Sequence, residues 1–228
     1  GALIIGLVFL VIIILTFVVF IERAQRRLIV QYPKRQVGNK MFGGDNSHLP
    51  LKLNTAGVIP PIFASSLLLM PITIANFSTG DGQGWLNTIT AMLGRGQTLY
   101  MLIYAGLIIF FCYFYTAIVF NPSDTADNLK KQGGFIPGIR PGEKTAEYID
   151  FILSRLTVVG ATYLVLVCLL PEFLISRYSV PFYFGGTSIL IIVNVAMDTM
   201  TQFQGYLFAH QYEGLLKKSR LASRRRSW

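Results

Sequence analysis

Histidine and cysteine are nearly absent: His48, His210, Cys112 and Cys168 are the whole supply in 228 residues. There is no C-x-x-C and no pair of histidines at ligand spacing, so neither a metal centre nor a disulfide framework is expected. Both cysteines lie inside apolar stretches, where a thiol behaves as a small apolar side chain. Charge is scarce too, with 14% Asp, Glu, Lys and Arg against 53% hydrophobic residues, a balance that suits a bilayer better than water. There is no H-E-x-x-H, no G-x-S-x-G and no pair of carboxylates within an apolar run. Hydrolytic chemistry is therefore not expected, and no cofactor is called for.

Long apolar runs are present instead. Five of them, at about 3–21, 56–77, 99–120, 156–175 and 184–209, reach or approach the ~20 residues a helix needs to cross the hydrocarbon. The expectation is an all-α polytopic protein, a single membrane domain over 1–228, with loops at 22–55 and 121–155 and a tail at 210–228. No charged segment precedes the first run, so it does not read as a signal peptide, and the chain reads as part of a longer protein. The net charge of +9 is unevenly placed. Residues 22–55 carry seven Lys or Arg, 121–155 carry five and the tail carries six, whereas the two intervening connections hold only Arg95 and Arg177. By the positive-inside rule the basic connections face the cytoplasm, with the Gly1 end outside and the Trp228 end inside. Anionic lipid headgroups are expected partners of these clusters, at ~1 kcal/mol per cation near the surface.

After the first run, AQRRLIVQYPKRQVG reads as a basic helix broken at or soon after Pro33. In the return that follows, Leu49, Leu51 and Leu53 suggest a short extended piece. Asn54 is suited to cap the second apolar helix, which puts Pro60 and Pro61 beyond its first turn. There each proline removes an N–H and crowds the preceding turn, so a hinge is expected, with Ser65 and Ser66 placed to bond freed backbone groups. Trp85 reads as an interfacial anchor. Asn121-Pro122 ends the third run; SDTADNLKKQGG then reads as a short helix capped by Ser123 or Asp124 and closed by Gly133-Gly134. EKTAEYIDFILSRL reads as a helix leading into the fourth run, so this connection is helix, tip, helix. Asn194 and Asp198 are the polar residues of the fifth run, and Asp198 reads as an acid near the interface. The tail, RLASRRRSW, is basic and reads as disordered.

The tip itself, GGFIPGIRPGEKT at 133–145, holds four glycines, two prolines and the single arginine Arg140. Its second part nearly fits the phosphate loop G-x-x-x-x-G-K-[ST], but Glu143 stands where the second glycine belongs. A carboxylate there repels a polyanion, and Pro141 removes an N–H from the cradle, so no nucleotide site is expected.

Four stretches, NPSDTADNLKKQGGFIPGIRPGEKTAEYID, VPFYFGGTSILI, HLPLKLNTAGVIPPIFASS and the Glu22-Arg23 exit of the first run, together resemble the SecY family, channel subunits of the bacterial protein translocase. The likeness covers nearly the whole chain and is to the carboxy-terminal half, spans six to ten. It implies a five-helix half of an inverted-repeat, clam-shell channel, with the amino-terminal half of SecY as its partner. It implies a passive channel in the bacterial inner membrane that translocates secretory polypeptides and releases membrane segments sideways into lipid. Ile62 and Ile191 match positions of the pore constriction; the second run, with Pro60, Pro61, Ser65 and Ser66, matches a lateral-gate helix. Arg140, with Lys130 and Lys131 in the same loop, and Lys34, Arg35 and Lys40 in the other, match loops that dock the ATPase SecA or the ribosome. SecE and SecG are implied partner subunits. Where the family has a basic pair, this chain has Asn39-Lys40, one cation fewer. A secondary transporter built on an inverted repeat is the alternative, with Asn194 and Asp198 its only intramembrane polar candidates.

Overall fold

Helix α1 (Ala2–Arg23) is followed by four short strands, β1 (Gln25–Gln31), β2 (Arg35–Val37), β3 (Lys40–Phe42) and β4 (Asn46–Lys52). Helices α2 (Ile59–Phe77), α3 (Gly84–Met92), α4 (Thr98–Val119), α5 (Pro122–Lys131), α6 (Glu143–Tyr178) and α7 (Gly186–Arg224) complete the chain. The computed structural model describes residues 1–77, 84–94, 96–179 and 186–224. Arg95, the VPFYF stretch and the last arginines of the tail, Arg225 and Arg226, lie outside the described residues.

Among the described residues four helical segments are long and apolar enough to cross a membrane: Ala2–Arg23, Ile59–Phe77, Thr98–Lys131 and Glu143–Tyr178. The fifth apolar run falls on α7, which is long, but Asn194, Asp198 and Gln202 dilute its hydropathy and keep it out of that group. The helices pack in the order α2, α4, α6, α7, α1, with α3 against α2. At the centre stands α6, the most buried of the four apolar segments; α1, at the edge, is the least. Ala161, Leu164 and Val167 of α6 meet Tyr104, Ile108 and Cys112 of α4, Leu190 and Val193 of α7 and Val18 of α1 in one apolar core.

The basic stretch after α1 is a strand, where a helix was expected. Helix α1 stops at Arg23 because Ala24 turns to extended backbone. β1 then pairs antiparallel with β4, from Gln25 opposite Lys52 to Gln31 opposite Asn46. Leu28 and Val30 point inward with a period of two while Arg27 and Ile29 point out, and strand pairing satisfies the backbone that an isolated helix would leave to water. The extended piece expected around Leu49 and Leu51 is β4. A second hairpin, β2 on β3, caps the first.

Three further expectations change. Asn54 does not cap α2, which starts five residues later at Ile59, with the Val58 carbonyl accepting the Ile62 N–H at 3.4 Å. Pro60 and Pro61 therefore sit in the first turn, where an N–H has no intrahelical acceptor, and they break nothing. The proline inside α2 is Pro71. The cap of α5 is Asn121, whose side chain accepts the Ser123 N–H at 3.1 Å, with Pro122 at the first helical position. Finally, the tail is helical to Arg224: α7 holds no proline, and Gly205 and Gly214 do not interrupt it.

Candidate functional site

The two long basic connections, 22–55 and 121–155, are far apart in sequence and fold into one body. Leu28 and Val30 of β1, Leu51 of β4, Leu129 of α5, Ile136 of the tip, and Ile149 and Ile152 of α6 form a core separate from that of the helical bundle. Helix α6 joins the two cores. Its 36 residues span about 54 Å, well beyond the ~30 Å of hydrocarbon, so its first turns stand clear of the bundle and carry the basic body.

Within this body the tip has a determined path. Gln31 and Phe135 exchange backbone hydrogen bonds at 2.8 and 2.9 Å, so the tip begins as an added rung on β1. Gly134 lies against Val30 and Tyr32; a Cβ there would come within 3.0 Å of both side chains. Gly138 and Gly142 take φ of 80° and 109°, a region that L side chains rarely enter. The Thr145 hydroxyl donates to the Arg140 carbonyl at 3.0 Å, and the Thr145 N–H to Gly142 O at 3.0 Å, which ties the tip to the start of α6. Arg140 is exposed, beside a concavity of about 440 Å3 shared with Gly138, Ile139, Lys144, Glu147 and Tyr148. Lys144 is engaged by Glu147 at 2.9 Å. A guanidinium held on a preformed turn can fork onto a carboxylate or phosphate with little ordering cost.

Lys130 and Lys131 are exposed at the end of α5, where cations favour the helix dipole. Lys34 is exposed between β1 and β2. Arg35 opens β2 and Lys40 opens β3, and for these two only the strand positions are described. Arg140, Lys130 and Lys131 thus lie on the body built from both loops, and Lys34, Arg35 and Lys40 on the stretch between its strands β1 and β4.

The expected channel residues lie elsewhere. Ile62 on α2 and Ile191 on α7 are each 40% exposed, and neither joins the bundle core, whose members include their neighbours Ala64 and Leu190. Pro60, Pro61, Ala64 and Leu68 form the buried stripe of α2, leaving Ile62 and Ser66 on an open face. Ser65 and Ser66 both donate to the Ile62 carbonyl, at 2.9 and 2.8 Å. They do not serve the carbonyls just ahead of the helix. One of those, Gly57 O, takes its bond from Asn54 Nδ2 at 3.2 Å. Asp198 is exposed on α7.

A polar cluster at the carboxy-terminal end of α1 had no signal in the sequence. Glu22 Oε1 accepts from Asn54 Nδ2 at 2.9 Å and from the Tyr163 hydroxyl at 3.3 Å. Glu22 and Asn54 were visible as a helix end and an expected cap; they lie 32 positions apart, at the two ends of the hairpin. Nothing in the local pattern marks Tyr163, on another helix, as their partner.

An apolar helical bundle bearing a compact basic body at one end defines a polytopic helical membrane protein. The comparisons with known proteins give the family. The SecY family model matches residues 1–200, and the chain belongs to the SecY family. It is 57% identical over 211 residues to the protein translocase subunit SecY of Rickettsia bellii (strain RML369-C), covering 92% of this chain and 48% of that protein. It is 59% identical over 206 residues to the same subunit of Escherichia coli (strain K12), covering 90% of this chain and 46% of that protein. The chain thus spans about half the length of the curated relatives it matches. Its fold is shared with a solved SecY structure concerned with the plug domain and the closed state of the translocation channel, at a TM-score of 0.57 and 18% identity, covering 84% of this chain and 47% of that one. It is also shared with the structure of a protein-conducting channel, at a TM-score of 0.56 and 18% identity, covering 84% and 46%.

Proposed function

We propose that this chain forms the carboxy-terminal half of a protein-conducting channel in the bacterial inner membrane, completed by an amino-terminal half. Family membership over residues 1–200 carries this reading. The channel is passive: SecA or the translating ribosome supplies the energy, and SecE and SecG complete the complex. Its basic body faces the cytoplasm, and the Gly1 end faces the periplasm. Arg140, Lys130 and Lys131 with Lys34, Arg35 and Lys40 meet SecA or ribosomal RNA, and anionic lipids gather at the same cations. Joining both loops in one core supports this, because a partner then meets their cations as one surface. Ile62 and Ile191 form part of an apolar collar around the secretory polypeptide, which dewets when empty and yields to any sequence. Their half-open setting on α2 and α7 suits that role better than core packing. Helix α2, starting at Pro60-Pro61, is one wall of the lateral gate. A secondary transporter is not favoured, because the SecY family match runs over residues 1–200, both candidate polar residues Asn194 and Asp198 included.

The test is site-specific crosslinking from Ile62 and Ile191 to an arrested secretory chain. Adducts at both positions, absent at the exposed Leu102 of α4, are the expected result. No adduct at either position during active translocation would remove them from the pore.

A further inference from the structure

The geometry points to Glu22, Asn54 and Tyr163 as a latch that positions the gate end of α2 and ties it to the docking hairpin. The idea rests on the channel reading above and adds to it a set of positioning residues.

The β1–β4 hairpin leaves the bundle just after Glu22 and re-enters it just before Asn54. Asn54 Nδ2 closes the base of that hairpin on Glu22 at 2.9 Å, and the Leu53 N–H donates to the Ala24 carbonyl at 3.2 Å beside it. The same amide nitrogen reaches forward to Gly57 O at 3.2 Å. That carbonyl lies ahead of the helix, and Pro61 has no N–H to offer it, so Asn54 bonds it instead and fixes the entry to α2. The Tyr163 hydroxyl of α6 donates to the same Oε1 of Glu22, at 3.3 Å. Gly160, one turn earlier on α6, lets the chain come close enough: a Cβ there would lie 2.6 Å from the Leu53 carbonyl oxygen. Asn54 is 5% exposed, and its Oδ1 has no hydrogen-bond partner. A buried polar atom left unpaired disfavours this arrangement, so the latch is held by few bonds and carries an internal cost. Load on the hairpin reaches α2 through one asparagine, and a small displacement exchanges one set of contacts for another. Releasing the latch frees the start of α2 and makes gate opening easier.

The experiment uses the complete translocase reconstituted in liposomes. Glu22→Gln keeps the shape and removes the charge, Tyr163→Phe removes only the hydroxyl, and Asn54→Ala removes both amide bonds. Translocation is measured for one secretory protein with an intact signal sequence and with a charge placed in the apolar stretch of that signal. Asn54→Ala and Glu22→Gln are expected to raise the defective-to-intact ratio by about fivefold or more. The double variant is expected to go no further than the larger single effect, because both act on one bond. An unchanged ratio in assembled variants overturns the latch, and so do additive effects. If Asn54→Ala does not assemble, the two isosteric variants decide; loss of assembly in them as well would show a purely structural cluster and overturn the latch. Wild-type complex that translocates neither substrate defeats the channel reading itself, whereas active wild type with unmoved variants defeats only the latch.

Discussion

Arg140 illustrates how a surface residue acquires a defined position. Its side chain is free in solvent, but its carbonyl is bonded by Thr145 and the residues on either side of its turn are Gly138 and Gly142 in left-handed backbone. Arg140→Glu should abolish most export while leaving the complex assembled, as checked by translocation and by copurification of its subunits. Thr145→Val should act through position alone. It removes one hydrogen bond, worth about 1 kcal/mol, and should weaken partner affinity several-fold without altering the salt dependence that Arg140 contributes. Gly160 is constrained more strictly. Gly160→Leu should destabilise the seat of the β4–α2 turn by about 1–3 kcal/mol, the usual cost of overpacking, seen as faster proteolysis around residues 53–58. The near-phosphate loop and the prolines of the tip were readable from residue types, because Glu143 and Pro141 carry their consequences wherever they stand. The partners of Glu22 were not, because a hydrogen bond across 141 residues leaves no local pattern.

At the scale of elements, α2 and the β1–β4 hairpin differ most from expectation. Proline chemistry was read correctly and its position was not: the helix boundary moved five residues, from Asn54 to Ile59, and with it the meaning of Pro60 and Pro61. Replacing both by alanine should change helix stability by less than about 1 kcal/mol, since first-turn prolines cost no hydrogen bond. Pro71→Ala should have the larger effect on gating. It restores an N–H to the Leu67 carbonyl and straightens α2 at mid-membrane, and comparing signal selectivity in the two variants checks the ranking. In the hairpin, Val30 is 2% exposed and faces the core of the basic body. Val30→Asp should open that body, with a cost of several kcal/mol for the buried charge, detectable as loss of amide protection at β1 and β4 while α4 stays protected. The stretch was misread because QRRLIVQ follows an apolar helix without proline or glycine, so continuation looked cheapest. Its partner strand, about twenty residues on, decided otherwise.

For the molecule as a whole, the charge distribution is the feature with the clearest experimental consequence. The proposed ribosome binding through the Arg- and Lys-rich body should fall steeply with salt, because neutralising RNA phosphates releases counterions. A titration between low and physiological salt measures the slope, and reversing Arg140 should reduce it by about one unit. Composition and run length determined the class of protein, because membrane partition depends on summed apolar length and little on neighbours. Long specific motifs pointed to the family. Only the tertiary structure decided that two separate loops share one core, that α6 links it to the bundle, and that Glu22, Asn54 and Tyr163 meet. Each of these depends on contacts between distant segments, whose energy exists only once the chain has closed the intervening loops.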